Sequence, residues 1–219
     1  MEDIYVYIFS WKHVTKNALQ IYKAVNKAFP NTIFVNCDEN YRPDADIRTI
    51  QCDDTYYYGK QFDKALQETP ADKIIGFIVG DINPENCWDM IAQSVVKAFA
   101  TNKVGVYAPN VDYTNHTNSG TLAWDTLHDV YNTDCACWFL DPRISATCRK
   151  LPIAQTSMYG WGIDTIARFE CTRYNLIMAR DYKFTIKQPR GTGYNRMIAL
   201  IQMELLLRKY HMYRREKKI

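Results

Sequence analysis

The segment that most constrains the fold is Lys73 to Pro84 (KIIGFIVGDINP), an apolar run that leads directly into an acidic residue. Most of its apolar residues are β-branched or aromatic, which is typical of a strand buried on both faces of a sheet. Asp81 follows with only Gly80 between, and ligands of open α/β sheets bind beyond the carboxyl ends of the strands. We therefore expect a metal or ribose at Asp81, with helix capping by Asp81 and Asn83 as the alternative.

Composition is that of an ordinary folded protein. The chain has 219 residues, of which 47% are apolar, enough for one domain with a sizeable core. The net charge of +3 is modest, and basic residues are spread along the chain until the last dozen, which does not favour nucleic-acid binding. Sixteen tyrosines and five tryptophans can stack on bases and sugars, although such side chains usually fill cores.

The ends of the chain and its cysteines bear on the compartment. The start, MEDIYVYIFSW, lacks the features of a signal peptide, and no apolar run reaches membrane-spanning length. Seven cysteines without a CxxC pair indicate reduced thiols. We expect a soluble, cytoplasmic protein without an integral membrane segment. The basic end, RKYHMYRREKK, is typical of a solvated helix terminus, with contact to an anionic membrane or continuation into further domains of a longer chain as less favoured alternatives.

Strand and helix patterns alternate along the chain. The polar stretch 109–120 is predicted to be a loop over the site. The alternation predicts an α/β fold with a mostly parallel central sheet and helices on both faces. The predicted strands are 4–9, 32–37, 47–52, 74–79, 104–107, 135–140, 176–179 and 184–187, and the predicted helices are 14–29, 58–66, 84–100, 144–150, one opening at 159–164 and one at about 194–213.

Polar residues follow other predicted strands as well. The first strand leads into Ser10-Trp11-Lys12-His13, which contains no glycine and so is neither a Rossmann fingerprint nor a P-loop. The second strand ends in Asp38-Glu39-Asn40, which indicates either a nucleoside contact or a solvated turn. Asp164 follows a turn with two glycines around Trp161, and it is either a helix-capping residue or a catalytic carboxylate.

Four segments, taken in order, carry a resemblance to a known family. They are FIVGDIN at 77–83, DCACWFL at 134–140, YGWGID at 159–164 and QPRGTGY at 188–194. Their order and spacing resemble those of the GT-A glycosyltransferases that use nucleotide sugars, of the inverting, family-2-like type. The compact chain also looks like soluble glycosyltransferases of large algal (chlorella) viruses, which would place it in the host cytoplasm.

The resemblance implies a single GT-A domain over residues 1–219, with a nucleotide-binding half at about 1–108 and an acceptor-side half at about 109–219. It implies that Asp81 binds Mn²⁺ or Mg²⁺ on the donor diphosphate, with Asn83 and Gln188 as further ligands. Asp164 falls where the family has its acceptor-activating base. Further donor contacts are expected from Ser10, Trp11, Asp38 (at the base), Tyr58, Lys60, Gly80 and Arg190, and contacts with the sugar and acceptor from Asp134 and Trp161.

Two departures from the family pattern concern the metal. The DxD motif has one acid here, and Gln188 stands where the family often has a histidine, so metal affinity is expected to be modest. The leading hypothesis is a metal-dependent inverting glycosyltransferase that moves a sugar, with UDP as the expected carrier, to a hydroxyl of a glycan or glycoprotein. The alternatives are a degenerate GT-A fold that binds a glycan or a partner, and a sugar nucleotidyltransferase, which would be expected to carry a glycine-rich phosphate loop after the first strand.

Overall fold

Nine strands and seven helices are found in the part of the chain that the computed structural model describes, residues 3–83, 87–112, 121–189 and 193–217. The strands are β1 (Ile4–Trp11), β2 (Asn31–Cys37), β3 (Thr49–Gln51), β4 (Ile74–Val79), β5 (Val104–Val111), β6 (Thr121–Trp124), β7 (Leu127–Asp129), β8 (Cys137–Leu140) and β9 (Ile177–Ile186). The helices are α1 (Thr15–Ala28), α2 (Tyr58–Glu68), α3 (Trp88–Ala100), α4 (Pro142–Cys148), α5 (Ile153–Thr156), α6 (Ile163–Arg173) and α7 (Arg196–Glu216).

All nine strands join one mixed sheet in the order β3-β2-β1-β4-β8-β5-β9-β7-β6. Among the described strand pairs, β1 is parallel to β2 and β4, β2 to β3, and β5 to β9, whereas β8 is antiparallel to both β4 and β5, and β7 to both β6 and β9. The sheet is therefore less parallel than predicted. Among the described residues between β5 and β8 only the short strands β6 and β7 are found, with no crossover helix, and β8 runs in the direction opposite to β5.

Helices cover both faces of this sheet. Successive residues of a strand point to opposite faces, and in β8 the Trp138 ring stacks 6.1 Å from Phe62 of α2, while the Phe139 ring stacks 5.4 Å from Phe29 at the end of α1. On the second of these faces α1 also packs against α3. The predicted α/β class, with one domain and a sheet between two helix layers, is confirmed.

Two predicted strands are in fact one. The segments 176–179 and 184–187 belong to β9, in which the intervening Arg180 and Asp181 are buried. Asp181 accepts hydrogen bonds from the Tyr107 hydroxyl at 2.8 Å and the Thr126 hydroxyl at 2.6 Å, so this buried carboxylate is satisfied inside the sheet. Of the loop predicted at 109–120, the first three residues continue β5, and residues 113–120 lie outside the described ones.

Helix α7 is held to the body by a buried network around Glu170 of α6. The Glu170 side chain is fully buried, and its carboxylate accepts hydrogen bonds from the Thr147 hydroxyl (2.8 Å), the Arg173 guanidinium (2.9 Å) and the Tyr210 hydroxyl of α7 (2.8 Å). Arg214 of α7 approaches the same carboxylate at 3.8 Å. One carboxylate thus ties α4, α6 and α7 together. Within the described ranges, no helix has the length and apolar character needed to cross a membrane.

Candidate functional site

One edge of the sheet collects the chain segments that carry the candidate residues. Because β1, β2 and β4 are parallel, Trp11, Asp38 and Asp81 lie at or just beyond the ends of their strands at this edge. The antiparallel strand β8 begins at the same edge, which places Asp134 there, and β9 ends there, two residues before Gln188. The strand order therefore brings together residues that are far apart in sequence.

Asp81 and Gln188 are in contact. The Gln188 amide donates a hydrogen bond from Nε2 to Asp81 Oδ1 at 3.3 Å, and the Asn83 backbone N–H donates to the Lys187 carbonyl oxygen at 2.8 Å. Burial raises the pKa of the Asp81 carboxyl, while the hydrogen bond from Gln188 and the nearby His13 lower it in part. The Asn83 side chain is exposed. Two of the three predicted metal ligands are thus adjacent, and the third lies on the same turn.

This donor set fits a hard divalent cation. Mg²⁺ and Mn²⁺ prefer carboxylate and amide oxygens, and an amide turned by 180° presents its oxygen in place of its nitrogen. None of the ion pairs among the described residues includes Asp81. Over the same residues, no group of three or more His, Cys, Asp or Glu side chains is arranged for a metal. A cation would therefore bind Asp81 and Gln188 and need donor phosphate or water oxygens to complete its shell.

Asn17 of α1 holds the turn that contains Asp81, and sequence reasoning missed it. Its Nδ2 donates hydrogen bonds to the carbonyl oxygens of Gly80 at 2.7 Å and Ile82 at 2.6 Å. Helix α1 lies so close that a Cβ on Gly80 would be 2.6 Å from the Ala18 Cβ, so glycine is required there. No sequence pattern marks Asn17, because a polar residue in the first turn of an amphipathic helix usually faces solvent.

Asp164 lies in the first turn of α6, after a glycine cap. Gly162 adopts the left-handed conformation with φ of 91°, and Asp164 follows two residues later. The pKa of the Asp164 carboxyl is raised to about 6: burial is the main cause, the negative charge of Asp134 adds to the rise, and hydrogen bonds from the N–H and hydroxyl of Thr165 offset it in part. A carboxylate with this pKa is mostly ionised at neutral pH and is a stronger base than an exposed aspartate.

Aromatic residues of the segment around Trp161, together with Tyr194, lie near Asp134 and Asp164. Trp161 Nε1 donates a hydrogen bond to the Tyr194 hydroxyl at 2.7 Å, and the rings of Tyr159 and Tyr194 stack at 4.3 Å with an angle of 11°. Burial raises the pKa of Tyr194, and Asp134 adds to that shift as it does for Asp164. The structure thus brings the predicted residues Asp134, Trp161 and Asp164 together, and it adds two tyrosines to them.

The residues that were predicted to contact the nucleotide near β1 and β2 are largely enclosed by protein. Asp38 is buried, and its carboxylate accepts hydrogen bonds from the Thr15 hydroxyl at 3.2 Å and the Asn40 N–H at 3.0 Å. Trp11 is half-buried and packs on the core. Ser10 is fully buried, and in the described structure its hydroxyl has no hydrogen-bond partner. These residues form the wall of the site next to β1 and β2, and their contacts with a nucleotide stay predictions.

Tyr58 supports the frame of the site instead of facing a ligand. It is buried, and its hydroxyl donates to the Cys135 carbonyl oxygen at 3.0 Å and accepts from Trp138 Nε1 at 2.8 Å. Its ring packs so closely under the glycine turn that a Cβ on Gly160 would lie 2.3 Å from it. The donor contact predicted for Tyr58 therefore finds no support in its geometry.

Two basic residues, Lys60 and Arg190, were predicted to contact the donor, and the structure describes the first of them. Lys60 donates a hydrogen bond to the Thr55 hydroxyl at 3.2 Å and lies over the Tyr56 ring, beside the turn at 53–56. These contacts direct the ammonium group toward that turn, and the donor contact of Lys60 stays a prediction. Arg190 lies outside the described residues.

Comparison with known proteins identifies this architecture at the level of the fold. No protein-family model matches the chain, and no curated protein matches it. Among solved structures, CMP:2-keto-3-deoxy-manno-octonic acid synthetase complexed with CTP is similar over 94% of this chain and 99% of its own, with a TM-score of 0.52 and 8% identity. UDP-glucose pyrophosphorylase complexed with UDP-glucose is similar over 97% and 99%, with a TM-score of 0.51 and 10% identity. The chain therefore has an α/β fold that is similar to that of enzymes with nucleotide and nucleotide-sugar ligands.

Proposed function

We propose that this protein is a metal-dependent glycosyltransferase that moves a sugar from a nucleotide diphosphate to a hydroxyl acceptor with inversion at the anomeric carbon. The observation that carries the proposal is Asp164, a carboxylate with a pKa of about 6 that lies close to Asp134 at the sheet edge of the predicted donor site. An acceptor hydroxyl must lose its proton during attack, and a positioned carboxylate of this basicity takes it, an effect worth roughly 10²- to 10⁴-fold in rate.

The residues around Asp81 would handle the leaving group. When bound, Mg²⁺ or Mn²⁺ supplies positive charge that neutralises the departing nucleoside diphosphate. Asp81 and Gln188 would hold the cation, and the hydrogen bonds from Asn17 keep the Asp81 turn in place before the donor arrives. The proposal requires that the sugar lie between Asp81 and Asp164, so that one in-line displacement inverts its anomeric carbon. The expected donor is a UDP-sugar, and the expected acceptor is a glycan or glycoprotein.

A sugar nucleotidyltransferase is the second candidate, because the two similar structures bear the names of such enzymes. Two observations weigh against it. The turn after β1, Trp11 to Val14, has no glycine and does not form the expected phosphate-binding loop. In addition, in a reaction of the pyrophosphorylase type a sugar phosphate attacks through an oxygen that is already anionic, so that type of nucleotidyl transfer has no need for a base such as Asp164.

Calorimetric titration with UDP, GDP, CTP and UDP-glucose, each with Mn²⁺ and then with excess chelator, tests the proposal. Binding of a UDP compound that requires the metal is expected. Asp164→Asn should then bind the donor with unchanged affinity and lose transfer, whereas the exposed control Asp46→Asn should keep both. Pyrophosphate release from a nucleoside triphosphate with either a sugar phosphate or a free sugar acid would establish the nucleotidyltransferase. If no nucleotide binds under either condition, the protein is a binding module on this fold.

A further inference from the structure

Helix α7 carries an apolar face that the rest of the described chain leaves open to solvent. Half of the exposed large hydrophobic residues in the described ranges lie on this one helix. Ile198, Leu205 and Met212 recur every seven residues, and Ile201 follows Ile198 after three, so they form one stripe along the helix. The exposed large hydrophobic residues of α7 are Met197, Ile198, Leu200, Ile201, Leu205 and Met212, with exposed fractions from 42% to 64%.

The opposite face of α7 is fixed to the protein. Ala199, Leu206 and Tyr210 are buried against the body, and the Tyr210 hydroxyl joins the Glu170 network. The helix therefore cannot turn its stripe inward without breaking these contacts. An exposed apolar patch of this extent on a rigidly held element marks an interaction surface.

The C-terminal half of the same helix is basic. Between Glu204 and Lys217 the chain has five basic residues and two acidic ones. Arg208, Lys209, Arg215 and Lys217 are exposed, and Arg208 pairs with Glu204. Apolar residues together with lysine and arginine on one exposed helix are typical of helices that lie in the interface of an anionic bilayer.

A second copy of the chain fits this face less well than lipid does. Arg208 follows Leu205 by three residues, as Ile201 follows Ile198, so Arg208 lies at the border of the stripe. If two α7 helices packed in parallel through their stripes, Arg208 of one copy would face Arg208 of the other. An antiparallel pair would set the apolar half of one helix against the basic half of the other. Both arrangements bury guanidinium groups in an apolar seam, which is costly. At a bilayer, arginine and lysine stems lie along the acyl boundary while their charged ends reach the headgroups.

We propose that α7 docks the protein on the surface of a bilayer rich in anionic lipid, with its stripe in the acyl boundary and its basic residues at the headgroups. This surface attachment needs no membrane-crossing helix, and it does not depend on the reaction that the protein catalyses. None of the predicted site residues lies on α7 itself.

Co-sedimentation of the full chain with lipid vesicles tests this proposal. We expect binding to vesicles of phosphatidylcholine with phosphatidylglycerol and little binding to phosphatidylcholine alone. The double variant Ile201→Glu/Leu205→Glu should bind about tenfold or more weakly, since it places two charges in the acyl boundary. Lys209→Gln/Arg215→Gln should bind roughly 25-fold more weakly, at about fivefold per cation. Val96→Glu, at an exposed apolar position of α3, is the matched control and should bind as wild type.

Several outcomes would overturn the proposal. Absence of sedimentation with anionic vesicles would do so, as would binding that the Ile201→Glu/Leu205→Glu variant leaves unchanged. A stable dimer in light scattering that dissociates in the same variant would assign the face to a second copy. Because the substituted side chains are exposed, the variants should fold, and circular dichroism with a thermal melt checks that they do.

Discussion

Replacement of Asp164 by asparagine is expected to stabilise the folded protein while it removes the proposed chemistry. The folded-state pKa of Asp164 is about 6, against an ordinary value of 3.8, and burial is the main cause. The shift of about two pKa units corresponds to roughly 3 kcal/mol at neutral pH, which is the free energy by which the folded state disfavours the charged carboxylate. Asparagine has nearly the same shape, can accept the hydrogen bonds at the start of α6 and carries no charge. The expected gain in unfolding free energy is therefore up to about 3 kcal/mol at pH 7.

The sign of the pH dependence follows from the direction of the shift. Because the pKa is higher in the folded state, the unfolded state loses its proton first as the pH rises, and folding becomes less favourable. The penalty is absent below the unfolded value of 3.8, grows up to about 6 and is complete above it. Asp164→Asn does not titrate, so its advantage over wild type should be small at pH 4 and close to its maximum at pH 7.

Urea unfolding of wild type and Asp164→Asn at pH 4 and pH 7 measures this difference. Asp46→Asn, at an exposed position, is the control and should change little at either pH. An Asp164→Asn variant that is no more stable than wild type at pH 7 would refute the reasoning, and so would a gain of equal size at both pH values.

In the wild type, the rate of transfer should rise as the pH passes through about 6, because only the ionised carboxylate acts as a base.

Three further substitutions test the frame of the site. Asn17→Ala should lower the free energy of unfolding by about 2 kcal/mol, because two backbone carbonyls lose their partner, and should weaken metal-dependent donor binding at Asp81 in calorimetry. Glu170→Gln should lower the free energy of unfolding by about 3 kcal/mol in urea titration, because the arginines around it lose their buried counter-charge. Gly160→Ala should destabilise by about 2 kcal/mol, because its φ is 82° and a Cβ would lie 2.3 Å from Tyr58.

Matched controls separate these effects from substitution in general. Asn26→Ala lies on the same helix as Asn17 but is exposed, and Glu204→Gln removes an exposed ion pair in place of a buried one. A Cβ on Gly193 would meet nothing within 4 Å, so Gly193→Ala should be nearly neutral. The reasoning for any one position fails if its variant is as stable as the corresponding control. For Asn17 it also fails if donor affinity is unchanged.

The parts of the fold that local pattern determines were predictable from the sequence. Strand β4 has the predicted bounds 74–79, because an apolar β-branched run with a polar end has few alternatives. Helices α1, α2 and α3 also lie where their amphipathic patterns indicate. Given parallel strands, the rule that their carboxyl ends share an edge was enough to group Asp38 with Asp81.

Features that depend on which strands are neighbours were not predictable in the same way. The contact between Asp81 and Gln188 requires β9 to lie parallel to β5 near the end of the sheet, and no local pattern encodes that order. Strands β6 and β7 are short, and β6, at the edge of the sheet, is largely exposed, so neither shows the apolar alternation that indicates a strand. The donor contact expected of Tyr58 came with the resemblance, and neither the resemblance nor the sequence shows the side on which its ring packs.

The way in which α7 is anchored also affects how often each part of the candidate site opens by local unfolding. Of the 21 residues of α7, only Ala199, Leu206 and Tyr210 are buried, whereas β4 is buried along almost its whole length. Local opening follows the number of buried contacts, so amide hydrogens of α7 should exchange with solvent well before those of the central strands. Tyr194 stands just ahead of α7 and bonds to Trp161, so each opening that reaches the start of the helix would release the aromatic wall beside Asp164. The Asp81 turn would outlast such openings, so under the proposed function a donor bound there would stay in place while the proposed acceptor side forms again.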